Sequence, residues 1–160
     1  TDALLAAEAH PGTFQAVVTW SGALELNGAS LFAGTSFEDA YAQAKKEGFY
    51  TMTFDWREPL ELGERWFQEV AETNILKVTA DIKAPILAIN GKDDTTVTPD
   101  NAEKIVKAAA NADSQLLLVD NCDHTYNVFS GDFTALYQTV DATAAFFQAQ
   151  LIPAAAQAAA

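Results

Sequence analysis

The chain is poor in most residues that mark nucleic-acid, metal or disulfide proteins. Its 9 Lys and Arg stand against 22 Asp and Glu, for a net charge of −13 over 160 residues. That balance excludes binding to a phosphate backbone, which draws on clustered cations, so no nucleic-acid partner is expected. A single cysteine, Cys122, excludes an internal disulfide and any multi-cysteine metal site. The 2 histidines, His10 and His124, and scattered carboxylates give no zinc-ligand spacing. No apolar run approaches the roughly 18 residues that span a bilayer, so no membrane partner is expected either. No basic segment followed by an apolar stretch opens the chain, which leaves a cytoplasmic location as the default. A processed secreted form would carry the same sequence.

What remains is one domain's worth of chain with a real core, 49% apolar and 19% charged. A helix is expected from Thr1 to Ala9, stopped by His10-Pro11-Gly12. Phe14 to Trp20 is a β-branched and aromatic run that suits a buried strand, closed by Ser21-Gly22. Residues 23–80 are less regular. Phe37, Ala40, Tyr41 and Ala44 mark one amphipathic helix, and Leu62, Trp66 and Val70 another. The aromatic stretch between them interrupts the pattern as a helical lid or insertion would.

Regularity returns with Ile86 to Ile89, a continuous apolar run of the kind found in parallel strands covered on both faces. Thr98 is placed to cap the next helix, with Pro99 at its first position. That helix should bury Ala102, Ile105, Val106 and Ala109. Leu116 to Val119 is the third strand. Phe133, Leu136, Tyr137, Val140, Ala144, Phe147 and Leu151 then fall on one face of a long helix that Pro153 ends. Residues 152–160 form an Ala-rich tail. Strands separated by helices predict an α/β fold of about three parallel strands with flanking helices. The expectation is one domain over 1–151.

Two loops carry the chemistry. The first closes a strand with Gly91-Lys92-Asp93-Asp94-Thr95-Thr96-Val97-Thr98-Pro99; the second follows Val119 with Asp120-Asn121-Cys122-Asp123-His124. An acid and an imidazole at the ends of successive strands can work together. The carboxylate fixes the tautomer and orientation of the ring, and the ring serves as base and then acid. An imidazole suits both jobs because its unperturbed pKa of about 6.5 lies near working pH.

These residues resemble the C-terminal half of an α/β-hydrolase of the esterase and prolyl-oligopeptidase-like type. Gly91, Asp94, Val97 and Pro99 occupy that family's Gly-x-x-Asp-x-x-Val-x-Pro positions, and His124-Thr125-Tyr126 matches its histidine loop. The resemblance implies Asp94 as triad acid, with Asp93 the alternative, and His124 as base, in the chain order Ser, Asp, His. It also makes Ala16 to Trp20 the strand after the nucleophile helix, and Thr1 to Ala9 the remainder of that helix. The departure is the serine, since no Gly-x-Ser-x-Gly occurs anywhere.

Each candidate has a plainer reading. Alone, Asp94 would be an ordinary turn aspartate and His124 a surface loop histidine; together, in this order, they favour the pair. Ser21 lacks the glycine two residues before it that an elbow requires, and Ser30 has Phe32 where the second glycine belongs. Thr1 leads into a helix, which is foreign to N-terminal threonine nucleophiles. Most of Phe32, Phe37, Tyr41, Phe49, Tyr50, Phe54, Trp56, Trp66 and Phe67 should be core, with some available to line an acyl or aryl pocket. Cys122 suits a structural thiol.

The function expected is that of a segment of a serine hydrolase acting on carboxylic esters, or on peptides, through an acyl-enzyme. Asp94 and His124 would serve a serine supplied from upstream. The resemblance implies no metal and no cofactor. Partners would be a small ester or peptide substrate, and either the upstream hydrolase segment or a second copy along the free edge of residues 16–20. The rival is a non-catalytic binding or interaction module on the same scaffold.

Overall fold

Residues 1–27, 32 and 34–151 are described by a computed structural model. Ser30 and the 152–160 tail lie outside the described residues. The chain divides into two compact units, Thr1–Leu24 with Ile75 onward, and Glu25–Asn74.

The first unit is an α/β sandwich. Strands β1 (Val17–Trp20), β4 (Ile86–Gly91) and β5 (Gln115–Val119) form a parallel sheet in the order β1-β4-β5. Strand β4 is central and buried along its whole length, which is why its sequence is apolar on both faces. On one face Val17, Ile86 and Ala88 pack with Leu4 and Ala7 of α1 (Asp2–Ala9), Ile75 of α4 (Ile75–Asp81), and Ala102 and Ile105 of α5 (Asp100–Ala108). On the other, Leu87, Ile89 and Val119 pack with Tyr126 and with Ala135 and Phe146 of α6 (Thr134–Leu151).

Two details differ from the sequence reading. The Thr98 hydroxyl turns to the Asp100 carboxylate instead of capping a backbone amide, and Pro99 occupies the N-cap position of α5. On α6 the buried face is Ala135, Thr139 and Phe146, while Phe133, Tyr137, Val140, Ala144 and Leu151 are exposed. Its apolar residues are spread around the helix and the polar Thr139 lies on the buried side, so periodicity alone does not choose its inner face.

The second unit holds α2 (Phe37–Glu47) and α3 (Glu64–Glu72), joined through an antiparallel pair, β2 (Phe49–Met52) and β3 (Leu60–Gly63). Ser36 caps α2 by accepting from the Asp39 amide at 3.0 Å, and Gly48 ends it at φ 89°, a left-handed position that suits glycine. Phe32, Phe37 and Phe67 form its core with Tyr41, Tyr50 and Trp66 against them; Tyr41 and Phe67 stack at 5.5 Å. Of the aromatic set, Phe49 and Trp56 are exposed. Helix α4, within the 23–80 stretch expected as an insertion, packs in the first unit because Ile75 and Ile82 are buried against its core.

Candidate active site

The carboxyl ends of parallel strands are where open α/β sheets place their ligands, and both chemical loops start there. Strand β4 ends at Gly91, β5 at Val119, and the two are hydrogen-bonded neighbours in register Gly91 to Val119. The loops are stitched together at once: Lys92 N–H donates to Val119 O at 2.9 Å and Asp93 N–H to Cys122 O at 3.1 Å. Gly91 makes this approach possible. A Cβ at that position would lie 2.2 Å from the Cys122 carbonyl oxygen.

Asp94, not Asp93, meets the histidine. Its Oδ2 lies 2.9 Å from His124 Nδ1, while Oδ1 accepts the amides of Thr96 and Val97 at 2.9 and 2.8 Å. Asn90, fully buried in β4, donates its amide to Val97 O at 2.9 Å, tying down the far end of the same loop. Asp94 is 2% exposed. Burial, the largest single influence, pushes its carboxyl up; hydrogen bonds from His124, the Val97 amide and Ser21 outweigh it and hold the group below its ordinary value. The carboxyl is therefore ionised at neutral pH.

His124 keeps 40% of its side chain exposed to solvent. Its loop is braced by Asp123, whose Oδ1 accepts from the Thr125 and Asn127 amides and from the Thr125 hydroxyl at 2.8 to 2.9 Å. Because Asp94 engages Nδ1, Nε2 is the nitrogen left to a nucleophile. Cys122 lies buried beneath the loop, and burial pushes its thiol up to about 11, so it stays a neutral packing group.

Sequence reasoning did not single out Asn90 or Asp123 as parts of this site. Asn90 had a signal, a polar residue closing a fully apolar strand just before the glycine. Asp123 had one too, in the Asp-x-Thr-x-Asn spacing of an Asx-type turn. His10 is the C-cap of α1 and the Thr1 hydroxyl donates to Ala23 O at 2.6 Å. Among the described residues no group of three or more His, Cys, Asp or Glu could hold a metal, and no helix is long and apolar enough to cross a membrane. An open depression lined by Pro11, Phe14, Gln15, Lys83 and Pro85 lies where β1 and β4 begin, the opposite end from His124.

No family model matches the chain, and no curated protein matches it in sequence. Solved structures do. The esterase domain of a Rhodothermus marinus protein is 16% identical and superposes with a TM-score of 0.63, over 91% of this chain and 55% of that one. Est1E from Butyrivibrio proteoclasticus is 16% identical, with a TM-score of 0.62 over 94% of this chain and 57% of its own. Mouse alpha/beta hydrolase domain-containing protein 10 gives 16% identity, a TM-score of 0.56 and coverage of 90% and 57%. The fold is thus that of an α/β-hydrolase, present in part: the chain spans little more than half the length of these structures.

Proposed function

We propose that this chain supplies the acid and base of a serine hydrolase that cleaves carboxylic esters through an acyl-enzyme, with the serine carried on a polypeptide segment outside it. The observation that supports this most is the His124 Nδ1 to Asp94 Oδ2 contact at 2.9 Å, made by a buried carboxylate already satisfied by two backbone amides. In that arrangement Nε2 takes the serine proton as the hydroxyl attacks the ester carbonyl and returns it to the leaving alkoxide. Asp94 stabilises the imidazolium formed between the two steps. Ser21 does not fit the nucleophile's role, because its hydroxyl pairs with the Tyr126 phenol at 3.2 Å and the chain lacks the glycine two residues before it that an elbow requires. Peptide bonds are the second substrate class, distinguished by the harder amine leaving group.

The partner this reading requires would add a strand to the free edge of β1 and carry the serine elbow and an oxyanion-hole donor. The test is co-expression of the chain with a strand-elbow-helix segment carrying Gly-x-Ser-x-Gly, assayed on p-nitrophenyl butyrate. The complex should turn over, and His124→Ala or elbow Ser→Ala should abolish turnover, while the chain alone stays at the buffer rate. Turnover by the chain alone that is lost in Ser21→Ala would overturn this reading. A folded complex that is inert would favour the binding module.

A further inference from the structure

Asn90 is out of keeping with its strand. β4 is buried along its whole length and is otherwise apolar up to Gly91, and asparagine is a poor strand former. Its side chain is satisfied on one side only. The amide nitrogen faces three oxygens of the Asp94 loop: Val97 O at 2.9 Å, Gly91 O at 3.2 Å and Asp94 Oδ2 at 3.4 Å. The amide oxygen, Oδ1, is buried without a hydrogen-bond partner. Turning the amide over would set Oδ1 against those three oxygens with no proton between them, so the acceptors fix its orientation. An orphaned buried acceptor is destabilising, and an apolar side chain like the rest of β4 would spare the strand that cost. What Asn90 adds at this position is a pair of N–H donors that carry no charge.

We infer that Asn90 is a positioning residue for the acid of the Asp94–His124 pair, holding the carboxylate so that Oδ2 faces His124 Nδ1. The hydrogen bonds run from one end of the loop to the other. Gly91 O, where the loop leaves the strand, accepts from Asn90 Nδ2 and from the Asp94 amide, at 3.2 and 3.3 Å. Val97 is held on both sides: its carbonyl accepts from Asn90, and its amide donates to Asp94 Oδ1 at 2.8 Å. Between them Oδ2, 2.9 Å from His124 Nδ1, lies 3.4 Å from the same Asn90 nitrogen. That nitrogen has two protons for three acceptors. The shortest bond, to Val97 O, takes one, and Gly91 O and Asp94 Oδ2 share the other. Asn90 thus sets both carboxylate oxygens, Oδ1 by way of Val97 and Oδ2 directly. With the carboxylate held, the neutral ring keeps its proton on Nδ1 and leaves Nε2 bare. The role deepens the acid–base reading of this site and rests on it for its catalytic meaning. Asn90 acts through Asp94 and does not touch the substrate.

The test is NMR on the 160-residue chain, reading the His124 tautomer by nitrogen-15 and the Asp94 titration by carbon-13. Asn90→Leu keeps the side chain's size and removes the donors together with the orphaned oxygen. The ionised carboxylate then loses one donor and the grip on another, so the Asp94 midpoint should rise toward an ordinary aspartate. The neutral His124 ring should at the same time lose its preference for a proton on Nδ1. The titratable groups about Asp94 are His124, Asp93, Cys122 and Tyr126, all unchanged in the variant. Ile105→Val is the control for a purely structural role. It takes one methyl from the core that α5 makes with β4 and leaves every hydrogen bond of the loop, so it should lower the urea midpoint and move neither signal. Should Asn90→Leu fail to fold, Asn90→Ala carries the same expectation with no bulk to misplace. A folded variant with both signals unchanged overturns the positioning role, and so do equal shifts in Ile105→Val. The pair itself still stands in that case if Asp94→Asn shifts the tautomer. A tautomer indifferent to Asp94→Asn overturns the pair, whatever Asn90 does.

Discussion

The Asp94 loop and the outer edge of β1 are one strand apart and are built in opposite ways. In the loop most polar groups are answered more than once, the buried Asn90 Oδ1 being an exception. The carboxylate takes two amides and an imidazole, the Asp93 amide reaches Cys122, and Asn90 closes the loop from below. Along β1 the Val17 and Ser21 amides donate to Pro85 and Ile89 of the β4 side. By the alternation of a strand, those of Val18 and Trp20 point the other way, where β1 is the last strand of its sheet. Asp94 and His124 are therefore held in place by this chain's own sheet, while the outer edge of β1 beside them has no strand neighbour among the described residues. The exposed apolar side chains at and along α6, Phe133 just before it and Tyr137 and Val140 within it, belong to the same unfinished side of the balance.

The severest way to break the finished side is at Gly91. A methyl there would meet the Cys122 carbonyl oxygen at 2.2 Å, its carbon at 2.8 Å and the Asp123 carbonyl at 3.0 Å, all of them backbone with nowhere to go. Overpacking of this kind costs about 1–3 kcal/mol, and Gly91→Ala should lie at or beyond the top of that range. Gly22→Ala is the control. Its new methyl would meet Ile105 Cδ1 and the Thr19 side chain at 3.2 Å, groups that can shift, so its cost should stay below about 1 kcal/mol. Urea denaturation measures both. Equal losses would mean that the two strand-end loops are not held as closely as the geometry says.

A smaller effect separates the acid's charge from its shape. Asp94→Asn keeps the size and loses the ionised acceptor, which should cost about 2 kcal/mol at neutral pH, in the range for hydrogen bonds to a charged group. The sign of the pH dependence follows from the lowered carboxyl. Its contribution is complete above the unfolded value, near 3.8, and is lost as pH falls through the folded value below it. The stability gap between the two proteins should therefore be flat through neutrality and close only in strong acid. Asp100, Asp123 and Asp132 are also held low, but they are common to both proteins and cancel in the difference. A gap that instead closes between pH 6 and 8 would place its origin in another group.

How much of this was legible in advance depended on whether the signal was local. The β4 run from Ile86 to Ile89, the Gly91 turn and the order of Asp94 before His124 can all be read from neighbouring residues, and they fixed the fold class and the candidate pair. The choice of Asp94 over Asp93 already needed the loop's register. The Ser21–Tyr126 contact joins residues 105 apart in sequence and depends on two backbone angles, which no local pattern carries. The inner face of α6 was hidden for the opposite reason: two apolar stripes compete, and only the sheet decides between them. The β2–β3 pair was missed because each strand is four residues long and Asp55, Arg57 and Pro59 fall between them.

The gentlest probe reads the unfinished edge one amide at a time. If β1 lacks a neighbour in solution, the Val18 and Trp20 amides have only water to bond, while those of Val17 and Ser21 are held by β4. Hydrogen exchange followed by NMR should then show alternating protection along four consecutive strand positions and Ser21, with Val18 and Trp20 exchanging by local fluctuation and their paired neighbours only by larger openings. Salt tests what fills the gap. A net charge of −13 opposes pairing between two copies, and raising ionic strength to about 0.1 M shortens the repulsion to roughly 10 Å. Self-association through the edge should therefore appear with salt and bring protection to Val18 and Trp20 together. Adding the serine-bearing segment should protect the same two amides at low salt, because a cognate strand does not carry this chain's full charge. Strong protection of Val18 and Trp20 in a monomer, at every salt concentration, would mean that the edge is satisfied within the chain, and the case for a missing partner strand would fall with it.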